Sequence, residues 1–218
     1  MKPLRIMIAD DHDLMRRGIR TLLESHAGWE VCGEAKTGRE AVEKADDLKP
    51  DIIILDISMP DLNGVEAARR IRKTYVNTEI LILSMHYSDQ LIREIVDAGV
   101  RGYIVKSDSD RDLLIAVETL AKHKPFFTPH ATEVILSNFN SGGSSMPMPE
   151  LISKRLTSRE REIVQLLAEG KSSKEVASSL EISVKTAETH RANIMRKLDL
   201  HSVSELVRYA VRNQIIEP

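Results

Sequence analysis

Five short apolar runs alternate with amphipathic stretches between Leu4 and about Lys122, and each ends where the next stretch begins. The runs are Leu4–Ala9, Glu30–Ala35, Ile52–Asp56, Glu79–Ser84 and Gly102–Lys106. Near-continuous Ile, Leu and Val of this length read as strands buried on both faces. The intervening stretches carry apolar residues at helical spacing. Leu14, Ile19, Leu22 and Leu23 mark one face, and Ala41, Val42, Ala45 and Leu48 mark a second. Val65, Ala68 and Ile71 mark a third, Leu91, Ile92, Ile95 and Val96 a fourth, and Leu113, Leu114, Val117 and Leu120 a fifth. Five strands alternating with five helices predict an α/β domain, a doubly wound parallel sheet covered on both sides.

Four of the runs end in polar signals. Asp10-Asp11 follows the first, Asp56 ends the third, Ser84 the fourth and Lys106 the fifth; Met59-Pro60 and Gly64 lie just beyond Asp56. In an open parallel sheet, ligands bind beyond the carboxyl ends of the strands, so these groups converge on one site. Three carboxylates in a small space repel one another unless a hard cation lies between them, which points to Mg²⁺. A Lys and a hydroxyl opposite the metal suit a phosphoryl group. The simplest chemistry is an aspartate that becomes phosphorylated.

Past Lys122 the alternation breaks. His130–Asn138 can form one more helix, and Ser141-Gly-Gly-Ser-Ser-Met-Pro-Met-Pro149 is a linker in which Gly and Ser give flexibility and two prolines bar helix. From about Ser153 the chain is helical throughout. Thr157 or Ser158, then Ser172 or Ser173, then Ser183, then Ser202 stand as caps of four helices. Only a few residues around Glu181-Ile182 join the second to the third, the spacing of a helix-turn-helix. The third displays Lys185, His190, Arg191, Arg196 and Lys197 around one acid, Glu188, and such cations suit phosphates.

Charge divides unevenly. Residues 150–218 hold 12 Lys+Arg against 10 Asp+Glu, whereas the remainder hold 19 against 23, which permits a nucleic-acid partner for the tail. A single cysteine, Cys32, excludes an internal disulfide and a cysteine metal cluster. No run approaches the ~18 apolar residues of a membrane helix, and the first residues do not read as a signal peptide. A cytoplasmic protein without a membrane partner is expected.

Residues 1–122 resemble the receiver domain of two-component response regulators, through Asp10-Asp11, Asp56, Met59-Pro60, Gly64, Ser84 and Lys106. Residues 153–218 resemble the LuxR-type helix-turn-helix, through Leu156-Thr-Ser-Arg-Glu160, Leu166-Leu-Ala-Glu-Gly170, Ser173-Lys-Glu-Val-Ala177, Lys185-Thr186, His190 and Arg196-Lys-Leu198. Residues 123–152 join them as a linker with a possible short helix. The whole is similar to a NarL/FixJ-type response regulator, which implies a flavodoxin-like five-stranded receiver followed by a small all-α four-helix domain.

The resemblance implies roles for individual residues. Asp56 would accept the phosphoryl group from a sensor histidine kinase. Asp11 and Asp56 would bind Mg²⁺ directly, Asp10 largely through water, and the Ser58 backbone carbonyl would complete the site. Ser84 and Lys106 would contact phosphoryl oxygens, and Tyr103 would be the switch aromatic that fills the space Ser84 vacates. Glu188, Thr189 and Ala192, with Arg191 beside them, would face the bases of double-stranded DNA, and Lys185, Thr186 and His190 its phosphates. Ser202–Arg212 would be a dimerisation surface, with a homodimer forming on activation. Three positions depart from the family pattern: Ser107 where many receivers have Pro, Ser173 where Asn is frequent, and Ala187 in place of Val.

Two other readings compete. A Mg²⁺-dependent phosphatase of the haloacid-dehalogenase type would also use Asp56 as a covalent nucleophile, but it places an acid where this chain has Ser58. A constitutive DNA-binding protein with the first domain as scaffold would have no use for three mutually repelling carboxylates.

Overall fold

The computed structural model describes residues 2–85, 87–141 and 156–216. The chain divides into two compact units, Met1–Phe139 and Asn140–Pro218. Most of the linker expected at Ser141–Pro149 lies outside the described residues.

In the first unit the elements run β1 (Leu4–Ala9), α1 (Asp13–Glu24), β2 (Trp29–Ala35), α2 (Gly38–Leu48), β3 (Ile52–Asp56), α3 (Gly64–Thr74) and β4 (Glu79–Ser84). They continue with α4 (Asp89–Asp97), β5 (Gly102–Val105), a 3₁₀ turn at Lys106–Asp108, α5 (Ser109–Ala121), β6 (Phe126–Phe127) and α6 (Pro129–Ser141). The sheet is parallel, in the order β2-β1-β3-β4-β5-β6. The chain leaves β1 towards β2 on one side and returns to β3 on the other, so the switch point lies between β1 and β3.

Alternation along each strand builds two cores. Met7, Ala9, Ile53, Leu55, Ile80, Ile82, Tyr103 and Val105 pack under α2, α3 and α4. Ile6, Ile8, Ile52, Ile54, Leu81, Leu83 and Ile104 pack under α1 and α5. β3 and β4 are buried along their whole length, as central strands covered on both sides must be.

Three features differ from the sequence expectations. The sheet has six strands rather than five: Phe126 pairs with Gly102 and Phe127 with Tyr103. A two-residue strand carries no periodicity, so nothing in the sequence announced it. The helix expected at His130–Asn138 is α6, and it belongs to the first unit rather than to a linker beginning at residue 123. Its Ala131 and Val134 are buried in the core that holds Leu91, Ile92 and Tyr103. The third difference lies in α1. Leu14 is 85% exposed, whereas Arg16, Ile19 and Leu23 form the buried stripe.

The second unit holds α7 (Ser158–Ala168), α8 (Ser173–Ser179), α9 (Val184–Leu198) and α10 (Val203–Arg212). Thr157 with Glu160, and Ser172 with Glu175, form reciprocal capping boxes at α7 and α8. Ser183 and Ser202 cap α9 and α10 by accepting from the Thr186 and Glu205 amides. Ile163, Val164, Leu166, Val176, Ala177, Ala187, Ile194, Leu206 and Ala210 make one core.

Candidate functional site

The carboxyl ends of β1, β3 and β5 bring Asp10, Asp56 and Lys106 together. Lys106 Nζ lies 2.8 Å from Asp56 Oδ2 and 2.9 Å from Asp10 Oδ2. All three side chains are buried, with exposures of 5% or less. Asp11 sits at the rim, one-third exposed. Oxygen or nitrogen atoms of Asp10, Asp11, His12 and Asp56 all fall within 4.8 Å of one another, a spacing that can hold a metal ion. The Asp10 and Asp56 Oδ2 atoms are buried and, among the described residues, have the Lys106 ammonium as their partner. Buried oxygens of this kind, in a set dominated by carboxylates, suit a hard divalent cation.

The local fold fixes the acids. Asp10 is held by its amide, which donates to the Ala35 carbonyl at 3.2 Å, and its Oδ1 accepts from the His12 amide at 2.8 Å. Behind Asp56 the chain turns back so closely that a Cβ at Gly64 would collide with the Asp56 main-chain oxygen. Glycine at position 64 is therefore a packing requirement. The Gly64 amide also donates to the Ile57 carbonyl at 2.8 Å, and Asn63 caps α3 by accepting from the Glu66 amide. Ser58, two residues past Asp56, is half-buried.

Electrostatics follow from this crowding. Burial pushes the Asp56 carboxyl up to about 6, helped by the negative charge of Asp10 and Asp11 and opposed by Lys106. Burial pulls the Lys106 ammonium down, but the Asp56 and Asp10 carboxylates outweigh it and hold the group above its ordinary value.

Ser84, the last residue of β4, and Tyr103, the second residue of β5, are both buried. Tyr103 is fully enclosed, and burial raises its phenol to about 12 while a hydrogen bond with the Ser84 side chain opposes the rise. The resemblance implied an aromatic that moves inward once Ser84 is drawn away; here the ring is already inside with Ser84 as its partner. Tyr103 belongs to the same buried cluster as Leu91, Ile92 and Val134. The Lys106–Ser107 peptide is trans, since none of the described residues has a cis bond.

Two neighbours were not singled out in the sequence. His12 Nδ1 lies 2.8 Å from Asp11 Oδ1, and contiguity with the acid pair was the available signal. Arg16 donates to the Asp10 carbonyl at 2.7 Å and to Glu34 at 2.8 Å. Its signal was a charge on the apolar stripe of α1.

In the second unit, α8 and α9 are joined through Glu181, whose positive φ of 53° makes the tight turn, and the Ile182 amide donates to the Ala177 carbonyl. Lys185, Thr186, Glu188, Thr189 and Ala192 are exposed on α9, and His190 and Arg191 are half-buried. Ala187 and Ile194 face inward, so the polar residues share the outward side. Lys197, expected among the phosphate-facing cations, instead donates to Glu160 at 2.7 Å and is tied to the start of α7.

Residues 6–118 match the response regulator receiver domain family, and residues 154–210 match the luxR family of bacterial regulatory proteins. The chain is a response regulator. It belongs to the class that joins a receiver to a LuxR-type DNA-binding domain and regulates transcription. The response regulator protein VraR of Staphylococcus saprophyticus is 34% identical over 215 residues, 99% of this chain and 100% of that protein. The RcsB response regulator of Salmonella typhimurium superimposes with a TM-score of 0.67 at 25% identity, covering 98% of this chain and 99% of that one. RcsB from Salmonella enterica serovar Typhimurium, solved bound to promoter rprA with the phosphomimetic BeF₃⁻, gives 0.63 at 27% identity, covering 95% and 98%. The described residues of this response regulator include no helix long and apolar enough to cross a membrane.

Proposed function

We propose that this response regulator is controlled by phosphorylation of Asp56 and that its phosphorylated form binds DNA as a dimer. The observation that carries the reading is the buried Lys106 ammonium shared between Asp56 and Asp10 at the carboxyl end of the sheet. Asp11 and Asp56 would hold Mg²⁺ with the Ser58 carbonyl, and Asp10 would act largely through water. The ion, when bound, supplies positive charge against the phosphoryl oxygens. The Asp56 carboxylate attacks the phosphorus of a phosphohistidine on a sensor histidine kinase. The new O–P bond forms as the N–P bond breaks, and the imidazole leaves. Lys106 stabilises the equatorial oxygens, and Ser84 exchanges its bond with Tyr103 for one to the phosphoryl group. The chain acts only on its own aspartate and turns over no external substrate. Ser58 stands where a phosphatase of this type needs its general acid.

In the second unit Glu188, Thr189, Arg191 and Ala192 read bases while Lys185, Thr186 and His190 meet phosphates, and the protein acts in the cytoplasm, where its DNA is. The receiver with its extension runs to about residue 141, and the DNA-binding half starts near residue 153.

Selection of bound sequences from a random duplex library, with and without an acyl phosphate donor and Mg²⁺, tests this reading. Phosphorylation should raise affinity, and the selected half-sites should have centres about one helical turn, ~10 bp, apart. Lys185→Ala should weaken binding to every sequence and reduce the salt slope by roughly 0.9. Glu188→Ala or Thr189→Ala should instead change which sequences are selected. Uniform weakening by all three substitutions would remove α9 as the reader.

A further inference from the structure

Arg16 has a place in the site that its neighbours do not explain. It lies on the buried stripe of α1 with 7% of its side chain exposed. One guanidinium nitrogen donates to the Asp10 carbonyl at 2.7 Å, Nε donates to Glu34 Oε2 at 2.8 Å, and the remaining nitrogen pairs with the exposed Asp13. Neutralising Glu34 does not require Arg16, because Arg20 Nε already reaches Glu34 Oε1 at 2.5 Å. A Leu or Met would fill the stripe between α1 and the sheet without the desolvation that an arginine incurs. The contact with Asp10 is the one that neither Arg20 nor an apolar side chain at this position would supply.

That contact matters through the peptide plane. The Asp10 carbonyl and the Asp11 amide belong to one rigid planar unit. A donor that fixes the carbonyl direction therefore fixes the start of Asp11, the acid at the rim. On its other side Asp10 is fixed by the Ala35 carbonyl, and its carboxylate by the His12 amide and Lys106. Arg16 closes the remaining freedom of the β1–α1 turn. Glu34, at the end of β2, in turn orients the guanidinium, so the order runs from β2 through α1 to the acid pair.

We propose that Arg16 is the positioning residue of the cation site, setting Asp10 and Asp11 for metal binding without touching the metal. The proposal rests on the reading of Asp11 and Asp56 as the metal ligands. Groups that orient metal ligands change affinity by about 10–100-fold when lost. Arg16→Lys keeps the positive charge but lacks the planar fork that serves the Asp10 carbonyl and Glu34 together. Arg16→Met keeps the apolar stem and removes every donor.

The probe is Mn²⁺, whose free signal in electron paramagnetic resonance disappears on binding, titrated into the full-length unphosphorylated protein. Trp29 fluorescence and a melting curve establish that each variant is folded at the titration temperature. Arg16→Lys is expected to weaken Mn²⁺ binding about tenfold while remaining folded, and Arg16→Met to weaken it at least as much. Asp13→Asn, which removes the exposed charge that pairs with Arg16 and with Lys36, should leave Mn²⁺ affinity unchanged. A purely structural role would lower the melting temperature of Arg16→Lys with the affinity intact, and that result overturns the proposal. The control is Asp11→Ala. Loss of Mn²⁺ binding in Asp11→Ala together with unchanged affinity in Arg16→Lys rejects Arg16 alone, whereas retained binding in Asp11→Ala rejects the metal-ligand reading and Arg16 with it.

Discussion

An Asp56→Asn protein is expected to take up no phosphoryl group from an acyl phosphate donor with Mg²⁺, and yet to unfold at a higher temperature than the natural protein. The first result follows from chemistry: an amide is no nucleophile at this site. On the proposed reading of Asp11 as a Mg²⁺ ligand, Asp11→Ala should also block incorporation. The second result follows from burial. The Asp56 carboxyl lies at about 6 in the folded protein against an ordinary 3.8, so the folded state holds its proton more tightly than the unfolded state does. Between about pH 4 and 6 the unfolded chain has released that proton and the folded one has not, and stability falls as pH rises. Above about 6 the full penalty is present, about 3 kcal/mol from the size of the shift. Asparagine carries no charge at any pH and escapes it. The shift already includes the attraction of Lys106, which keeps Asp10 as a partner in the variant, but the buried amide has a desolvation cost of its own, which reduces the net gain to roughly 1–2 kcal/mol. Denaturant unfolding at pH 7 and at pH 4 should therefore show a gain at neutral pH that shrinks in acid. Mass spectrometry finding the phosphoryl group on Asp10 or Asp11 would sink the assignment of the acceptor. A variant less stable at pH 7 would show that the Lys106 pair outweighs burial.

Much of the site was legible because a parallel sheet converts sequence position into spatial position. Leu4–Ala9, Ile52–Asp56 and Glu79–Ser84 are the observed β1, β3 and β4, and whatever follows each run has to stand at one edge of the sheet. The caps of the second unit were legible for a similar reason. Thr157, Ser172, Ser183 and Ser202 satisfy amides of their own helices, so no distant part of the chain is involved. What could not be read depends on partners far away in sequence. Leu14 looked like an inner residue because it is apolar, but Arg16 takes the inward position, where Asp10 and Glu34 offer a buried guanidinium its acceptors. Lys197 follows the same rule: its partner Glu160 lies on another helix, and only the packing of α9 against α7 brings them together. Alternation puts Tyr103 and Val105 on the same face of β5, yet the hydrogen bond between Tyr103 and Ser84 depends on a rotamer that alternation leaves open.

The extension past α5 supplies the other large expected effect. Val134→Asp should lower the stability of the receiver by roughly 2–4 kcal/mol, because it places a carboxylate in the buried apolar cluster that holds Leu91, Ile92 and Tyr103. For a unit of this size the melting temperature should fall by about 5–10 °C. Leu136→Asp lies on the same helix two residues on, but its side chain is 55% exposed, and its cost should stay within about 0.5 kcal/mol. The pair separates two descriptions of residues 123–141. A linker helix that merely spans the units would tolerate both substitutions. A helix that completes the sheet's covering layer tolerates only the second. The observed packing favours the second description: Phe127 pairs with Tyr103 through the backbone, Ala131 and Val134 are enclosed, and Ile135 and Phe127 lie against the same cluster. Removing everything past Lys122 should then resemble Val134→Asp, since it uncovers β5 and the flank of α4 together. Equal melting temperatures for Val134→Asp and Leu136→Asp would return the segment to the role of a linker.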